Sequence, residues 1–150
     1  MKELKVDAIR RGTVIDHIPA GTVFKIVELL GIGKDDQVMI GTNLASAKHG
    51  RKDVIKIENR ILSEDELNSI SLVGPTVTIS IIEDFIPVKK SNVRIPDEIR
   101  SIISCPNRHC ITNHEEVPTR FAVESRSPLK VRCCYCERVF DTELNKYISL

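Results

Sequence analysis

The chain has 150 residues, 41% of them hydrophobic, and 22 basic against 21 acidic side chains for a net charge of +1. That content suits one or two water-soluble domains, and no apolar run nears the roughly 20 residues of a membrane span. Residues 1–97 hold 14 charges of each sign, and the whole chain has two Tyr, four Phe and no Trp. A general binder of nucleic-acid polymers needs a basic face and stacking aromatics, so that class is disfavoured.

The first residues lack the apolar core of a signal peptide, because Asp7 and Arg10 interrupt it. The expected location is the cytoplasm, with no membrane as partner. Strands are predicted at residues 4–9 and, after a turn at Arg11-Gly12, at 13–18. From Thr22 the period lengthens: Val23, Ile26, Val27 and Leu30 share one helical face, and Gly31 and Gly33 end it. Residues 37–44 and 53–58 read as strands, the second alternating through Val54, Ile55, Lys56 and Ile57. Ser63-Glu64-Asp65-Glu66 is a capping box opening a helix whose buried face is Leu67, Ile70 and Leu72. Gly74-Pro75 breaks that helix, and the β-branched run 76–82 is a strand. Residues 85–88 add an edge.

Strand, helix, strand, strand, helix, strand, preceded by one short strand, is the split βαβ plan. The expected class is α+β: a ferredoxin-like antiparallel sheet with two helices, followed by a small all-β domain. The polar stretch 89–97 reads as the linker, which sets the domains at 1–97 and 98–150. Ile99, Ile102 and Ile103 suggest one or two helical turns leading into Cys105. Strand-like pieces follow at 120–123, 129–133 and 139–142. A domain of this size buries little surface and usually needs a staple.

All five cysteines lie between 105 and 136. Clustered thiols in a cytoplasmic protein point to a metal before they point to disulfides. Cys105 and Cys110 form one short loop. Cys133 and Cys136 form another with the two-residue gap of a metal knuckle, so these four are the candidate ligands of one structural Zn²⁺. His109, His114 and Cys134 remain possible substitutes at this point. Four thiolates leave no open coordination position for water, which excludes a catalytic zinc. Other catalytic patterns are missing too. Gly31-Ile32-Gly33-Lys34 ends a helix where a phosphate-binding loop would begin one, and no serine sits in a nucleophile elbow. The chain is not expected to be an enzyme.

Two stretches are more specific than generic strands. They are Arg11-Gly12-Thr13-Val14-Ile15-Asp16-His17-Ile18-Pro19 and Gly50-Arg51-Lys52-Asp53-Val54-Ile55-Lys56-Ile57-Glu58-Asn59. With Leu62-Ser63-Glu64-Asp65 and Cys105-Pro106-Asn107, they closely resemble the regulatory chains of aspartate carbamoyltransferase, over essentially the whole length. The resemblance implies an N-terminal allosteric domain that binds the nucleotides CTP, UTP and ATP and pairs with a second regulatory chain. It implies a C-terminal zinc domain that docks on the catalytic chain, and a role in controlling pyrimidine biosynthesis. The family's effector site would fall on Ala8, Ile9, Val14, Asp16, His17, Lys56, Ile82, Phe85 and Lys90. In that reading Lys90 and His17 meet phosphates, and Asp16 and Lys56 meet the ribose and base. Ala8, Ile9 and Phe85 meet the base through backbone or packing, and Lys52 lies near a second, metal-bridged nucleotide. Ser80 stands where a longer amide is common, Phe85 where tyrosine is common, and Pro87 is a further departure. These changes bear on the balance between CTP and ATP.

Taken alone, the same residues read more plainly. A histidine after an aspartate in a strand is a surface pair, Lys56 between two isoleucines is the wet side of a strand, and Lys89-Lys90 is linker charge. Two other functions compete with the allosteric subunit: a zinc-ribbon nucleic-acid-binding accessory protein and a free-standing small-molecule sensor. Charge balance disfavours the first, and co-purification with a large catalytic partner would exclude the second.

Overall fold

The computed structural model describes residues 8–48, 50–141 and 147–148, and the chain divides into two units, Met1–Arg94 and Ile95–Leu150. In the first, strands β1 (Gly12–Pro19), β2 (Val38–Ser46), β3 (Gly50–Glu58), β4 (Thr78–Glu83) and β5 (Ile86–Asn92) form one sheet. Their order is β2-β3-β1-β4-β5, antiparallel at every junction. Helices α1 (Val23–Leu29) and α2 (Glu64–Val73) complete the ferredoxin-like plan, with β5 as the added edge. Of the short strand expected at 4–9, residues 4–7 lie outside the described residues, and Ala8 and Ile9 are not in a strand.

Alternation along β1, β3 and β4 decides which face is covered. Ile15, Ile55 and Ile79 are cross-strand neighbours, so they point to one side of the sheet. There they pack with Val23 and Ile26 of α1 and Ile70 of α2, all at most 5% exposed. Each such side chain contributes about 1.5–3 kcal/mol on leaving water. The intervening residues Val14, Lys56 and Ser80 therefore face away from the helices.

Polar side chains tie the helices down. The capping box is present, with Ser63 Oγ accepting from the Glu66 N–H and Glu66 Oε1 from the Ser63 N–H. Arg60 donates to the Leu30 carbonyl at the end of α1 and to Glu66 of α2, each at 2.6 Å. Helix α1 has no side-chain cap of its own. Its first N–H is met by Asp53 of β3, at 3.1 Å.

Three expectations change. Lys89, Lys90, Ser91 and Asn92 belong to β5 and pair with β4, and Val93 packs on the core, so 89–93 is not linker. An edge strand wetted on both faces carries the same polar composition as a linker. The helical turns expected around Ile99 are instead strand β6 (Glu98–Arg100). Residues Ile99, Ile102 and Ile103 are nonetheless buried, because they fill the core of the second unit. In α2 the buried residues are Ser69, Ile70 and Ser71, while Leu72 is only half-buried.

The second unit orders its strands β6-β7-β8-β9, where β7 is Arg120–Arg126, β8 is Leu129–Cys133 and β9 is Val139–Phe140. Phe121 and Val131 are fully buried at its centre. Among the described residues, no helix is long and apolar enough to cross a membrane.

Candidate functional site

The cysteine pairs meet across the second unit. Cys105 Sγ lies 3.8 Å from Cys136 Sγ, and Cys110 Sγ lies 3.8 Å from Cys133 Sγ. All four sulfurs fall within 4.8 Å of one another. Cys105, Cys110 and Cys133 are buried and Cys136 half-buried, whereas Cys134 is exposed. Among the described residues His109, His114 and Cys134 are not in the cluster, and His114 Nε2 sits 2.8 Å from the Arg108 carbonyl instead.

Local hydrogen bonds shape both loops. Asn113 donates to the Cys105 and Asn107 carbonyls at 2.9 and 2.7 Å, and Thr112 donates to Cys110 Sγ at 3.2 Å. The knuckle closes where the Glu137 N–H reaches the Cys133 carbonyl, with Glu137 at a φ of 63°. Burial pushes the Cys105 and Cys133 thiols up. Burial also raises Cys136, but bonds from the Arg138 backbone and Asn107 outweigh it and draw that thiol down to about 7. A cation entering here must displace protons from the others, as thiolate ligation requires.

The open face of the first sheet gathers a second set. One transverse row runs Met39, Lys56, Val14, Ser80, Lys90, each the register partner of the next. Asp16 and Ile82 lie on the same strands two residues from Val14 and Ser80, and so on the same face. Lys52 reaches Asp16 at 2.9 Å. His17 sits at a bulge in β1 with a φ of 56°, and its Nδ1 is 2.9 Å from Thr78 Oγ1.

At one end of this face, Ala8, Ile9 and Lys56 line a cavity of about 180 Å³ with Gln37, Val38, Met39 and Glu58. A wider hollow of about 640 Å³ follows, lined by Ala8, Phe85, Arg10, Arg11 and neighbouring polar residues. Phe85 is 60% exposed at a φ of 67° in the β4–β5 turn, a region that bulky side chains rarely occupy. Neither cavity is lined by His17, Lys52 or Lys90, which lie farther along the face. Gln37, Glu58, Arg10 and Arg11 were not legible as lining residues. They come from three segments that only the sheet order brings to one end.

Asp16 yields a pH prediction. Burial alone would raise its carboxyl, but the Lys52 hydrogen bond, the His17 N–H at 2.6 Å and the charges of both residues outweigh it. The net shift is downward from 3.8. A carboxylate depressed on folding stabilises the chain above its unfolded pKa, and that contribution disappears as pH falls through the folded value. Below about pH 4 the Asp16→Asn variant should therefore lose stability less steeply than the unaltered chain. Parallel acid-denaturation curves would contradict this.

Comparison with known proteins agrees with the geometry. Residues 4–94 match the family described as aspartate carbamoyltransferase regulatory chain, allosteric domain, and residues 97–145 match its metal binding domain. The regulatory chain of Pyrococcus abyssi is 53% identical over 146 residues, covering 95% of this chain and 96% of that one. That of Thermococcus sibiricus is 51% identical over 144 residues, covering 96% of each. The regulatory chain of Methanocaldococcus jannaschii is 47% identical over 138 residues, covering 92% of this chain and 93% of its own. Two domain matches that leave little of the chain outside them, joined to a four-cysteine cluster in the second, place this protein in the family of aspartate carbamoyltransferase regulatory chains.

Proposed function

We propose that this chain is a non-catalytic subunit that binds CTP, UTP and ATP on the open face of its first sheet and relays their presence to aspartate carbamoyltransferase catalytic chains. The observation behind the nucleotide reading is the row from Lys56 through Val14 and Ser80 to Lys90. It sets two cations on the same face as Asp16 and Ile82, beside a hollow large enough for a base and ribose. Triphosphates need cations, and Lys90 with His17 supplies them. Asp16 and Lys56 serve the ribose and base, and Ala8, Ile9, Val14, Ile82 and Phe85 form the apolar and backbone surround. Lys52, paired with Asp16, borders a second nucleotide position. The allosteric domain pairs with that of another copy.

The metal is Zn²⁺. A tetrahedron with zinc–sulfur bonds of about 2.3 Å has edges of about 3.8 Å, which the two short sulfur separations match. The ion is structural, one per chain, held by Cys105, Cys110, Cys133 and Cys136. The unit it organises, taken as 98–150, docks on the catalytic chain, and 1–97 forms the effector domain.

The decisive experiment for the effector face is Lys90→Ala. The variant should weaken CTP by about 1.5–3 kcal/mol, the scale of a charged hydrogen bond, and leave cytidine affinity nearly unchanged. Calorimetry showing equal losses for nucleotide and nucleoside would remove Lys90 from the phosphates.

A further inference from the structure

We propose that Asp53 is a positioning residue that joins the effector face to the outermost strand β2, without touching nucleotide itself. The inference rests on the effector reading of that face.

The two strands that flank β3 each carry a bulge at the same level. In β1, Asp16 and His17 stand opposite the single residue Val54, between the pairs Ile15–Ile55 and Ile18–Asp53. In β2, Thr42 and Asn43 stand opposite the single residue Asp53, between Gly41–Val54 and Leu44–Lys52. The second residue of each bulge is left-handed, with φ of 56° at His17 and 54° at Asn43. Bulges re-aim side chains, and the one in β1 sets Asp16 and His17.

Asp53 is fully buried and binds on two sides. Its Oδ1 accepts the Asn43 N–H at 2.8 Å. Its Oδ2 accepts the Gly21 and Val23 N–H groups at 2.9 and 3.1 Å, on the segment that leaves the β1 bulge and enters α1. The preceding residue, Lys52, grips Asp16 of the same bulge on the opposite face. One dipeptide of β3 therefore holds Asp16 of the β1 bulge on one face, and on the other its carboxylate ties the segment after β1 to the β2 bulge. Movement of Asp16 on binding a ligand then reaches Asn43 through Lys52 and its chain neighbour Asp53.

Asparagine tests this because its amide offers one acceptor oxygen where the carboxylate offers two. It cannot satisfy Asn43 and the Gly21–Val23 pair together. CTP is titrated calorimetrically into the whole chain and its Asp53→Asn variant, with amide hydrogen exchange on the same samples. Arg60→Ala, which cuts the tie between the helices, controls for loss of stability alone. The expected result is CTP affinity lower by about tenfold in Asp53→Asn, faster exchange at His17 and Asn43, and unchanged affinity in Arg60→Ala.

Equal CTP affinity with and without the Asp53 change overturns the inference and leaves the effector reading standing. An equal loss in Arg60→Ala overturns it too, since stability alone would then account for the effect. If the unaltered chain binds no CTP, the effector reading fails, and the clamp is judged on exchange: no change at His17 in Asp53→Asn overturns it. If that variant does not fold, the unaltered chain decides. Saturating CTP should slow exchange at Asn43 and Val23, and indifference of both overturns the inference.

Discussion

Stripping the metal, or changing Cys136 to Ser, should unfold the second unit and leave the first intact. Among the described residues, the apolar core of that unit is Ile95, Ile99, Ile102, Ile103, Phe121 and Val131, and its strands run only two to seven residues. So small a core rarely sustains a fold without a staple. A structural zinc site of thiolates is worth about 10–16 kcal/mol of apparent binding energy, and the site does not exist in the unfolded chain. Removing it leaves three buried thiols with no common partner. The first unit has its own core of Ile15, Ile26, Ile55, Ile57, Ile70 and Val77, each fully buried. After chelation, circular dichroism should lose the second unit's signal while CTP titrates as before, and association with the catalytic chain should vanish. A zinc-free chain that still assembles would refute docking through this unit. Nucleotide affinity lost along with the metal would show that the first unit depends on the second.

Gly12→Ala should destabilise the first unit by about 3–5 kcal/mol, the upper range for a single residue. Gly12 has a φ of 142°, and a Cβ built there would lie 2.0 Å from the Ile57 carbonyl oxygen and 2.9 Å from the Asn59 nitrogen. Both atoms are backbone, at the end of a central strand. Asn59 is itself held by its N–H to the Arg11 carbonyl at 2.8 Å. Relief would require parting β1 from β3, the pair that aligns Val14 with Lys56. The gain from restricting the unfolded chain is only about 0.4–1 kcal/mol. Urea denaturation is the measurement, and a loss under about 1 kcal/mol would mean that the strand ends part freely.

What could be read without coordinates was what neighbouring residues decide among themselves. Val23, Ile26 and Leu30 mark a helix by spacing alone. Ser63 and Glu66 cap each other within one turn. The alternation around Lys56 names a strand, and Cys133 with Cys136 forms a knuckle through contacts inside a few residues. The order of these elements was enough for the ferredoxin-like plan, because few sheet orders accommodate two helices on one side.

Tertiary structure decided what depends on the far partner. Lys89 to Asn92 have a linker's composition and a strand's conformation, since the edge of a sheet is wetted like a loop and only pairing with β4 distinguishes them. The apolar residues Ile99, Ile102 and Ile103 suggested helical turns, and pairing of Glu98–Arg100 with β7 made the start of that segment a strand. His109, His114 and Cys134 had the chemistry of ligands, but the direction in which each loop turns left them outside the cluster. Asp53 drew no notice in its strand. Its three backbone partners lie 10 to 32 residues away, and a carboxylate is read as buried and bonded only when the chain that surrounds it has been placed. Local spacing sets which groups exist and which conformation each short segment prefers. Long-range pairing sets which of them meet, because a hydrogen bond or a metal–thiolate contact depends on distances that sequence neighbours alone do not impose.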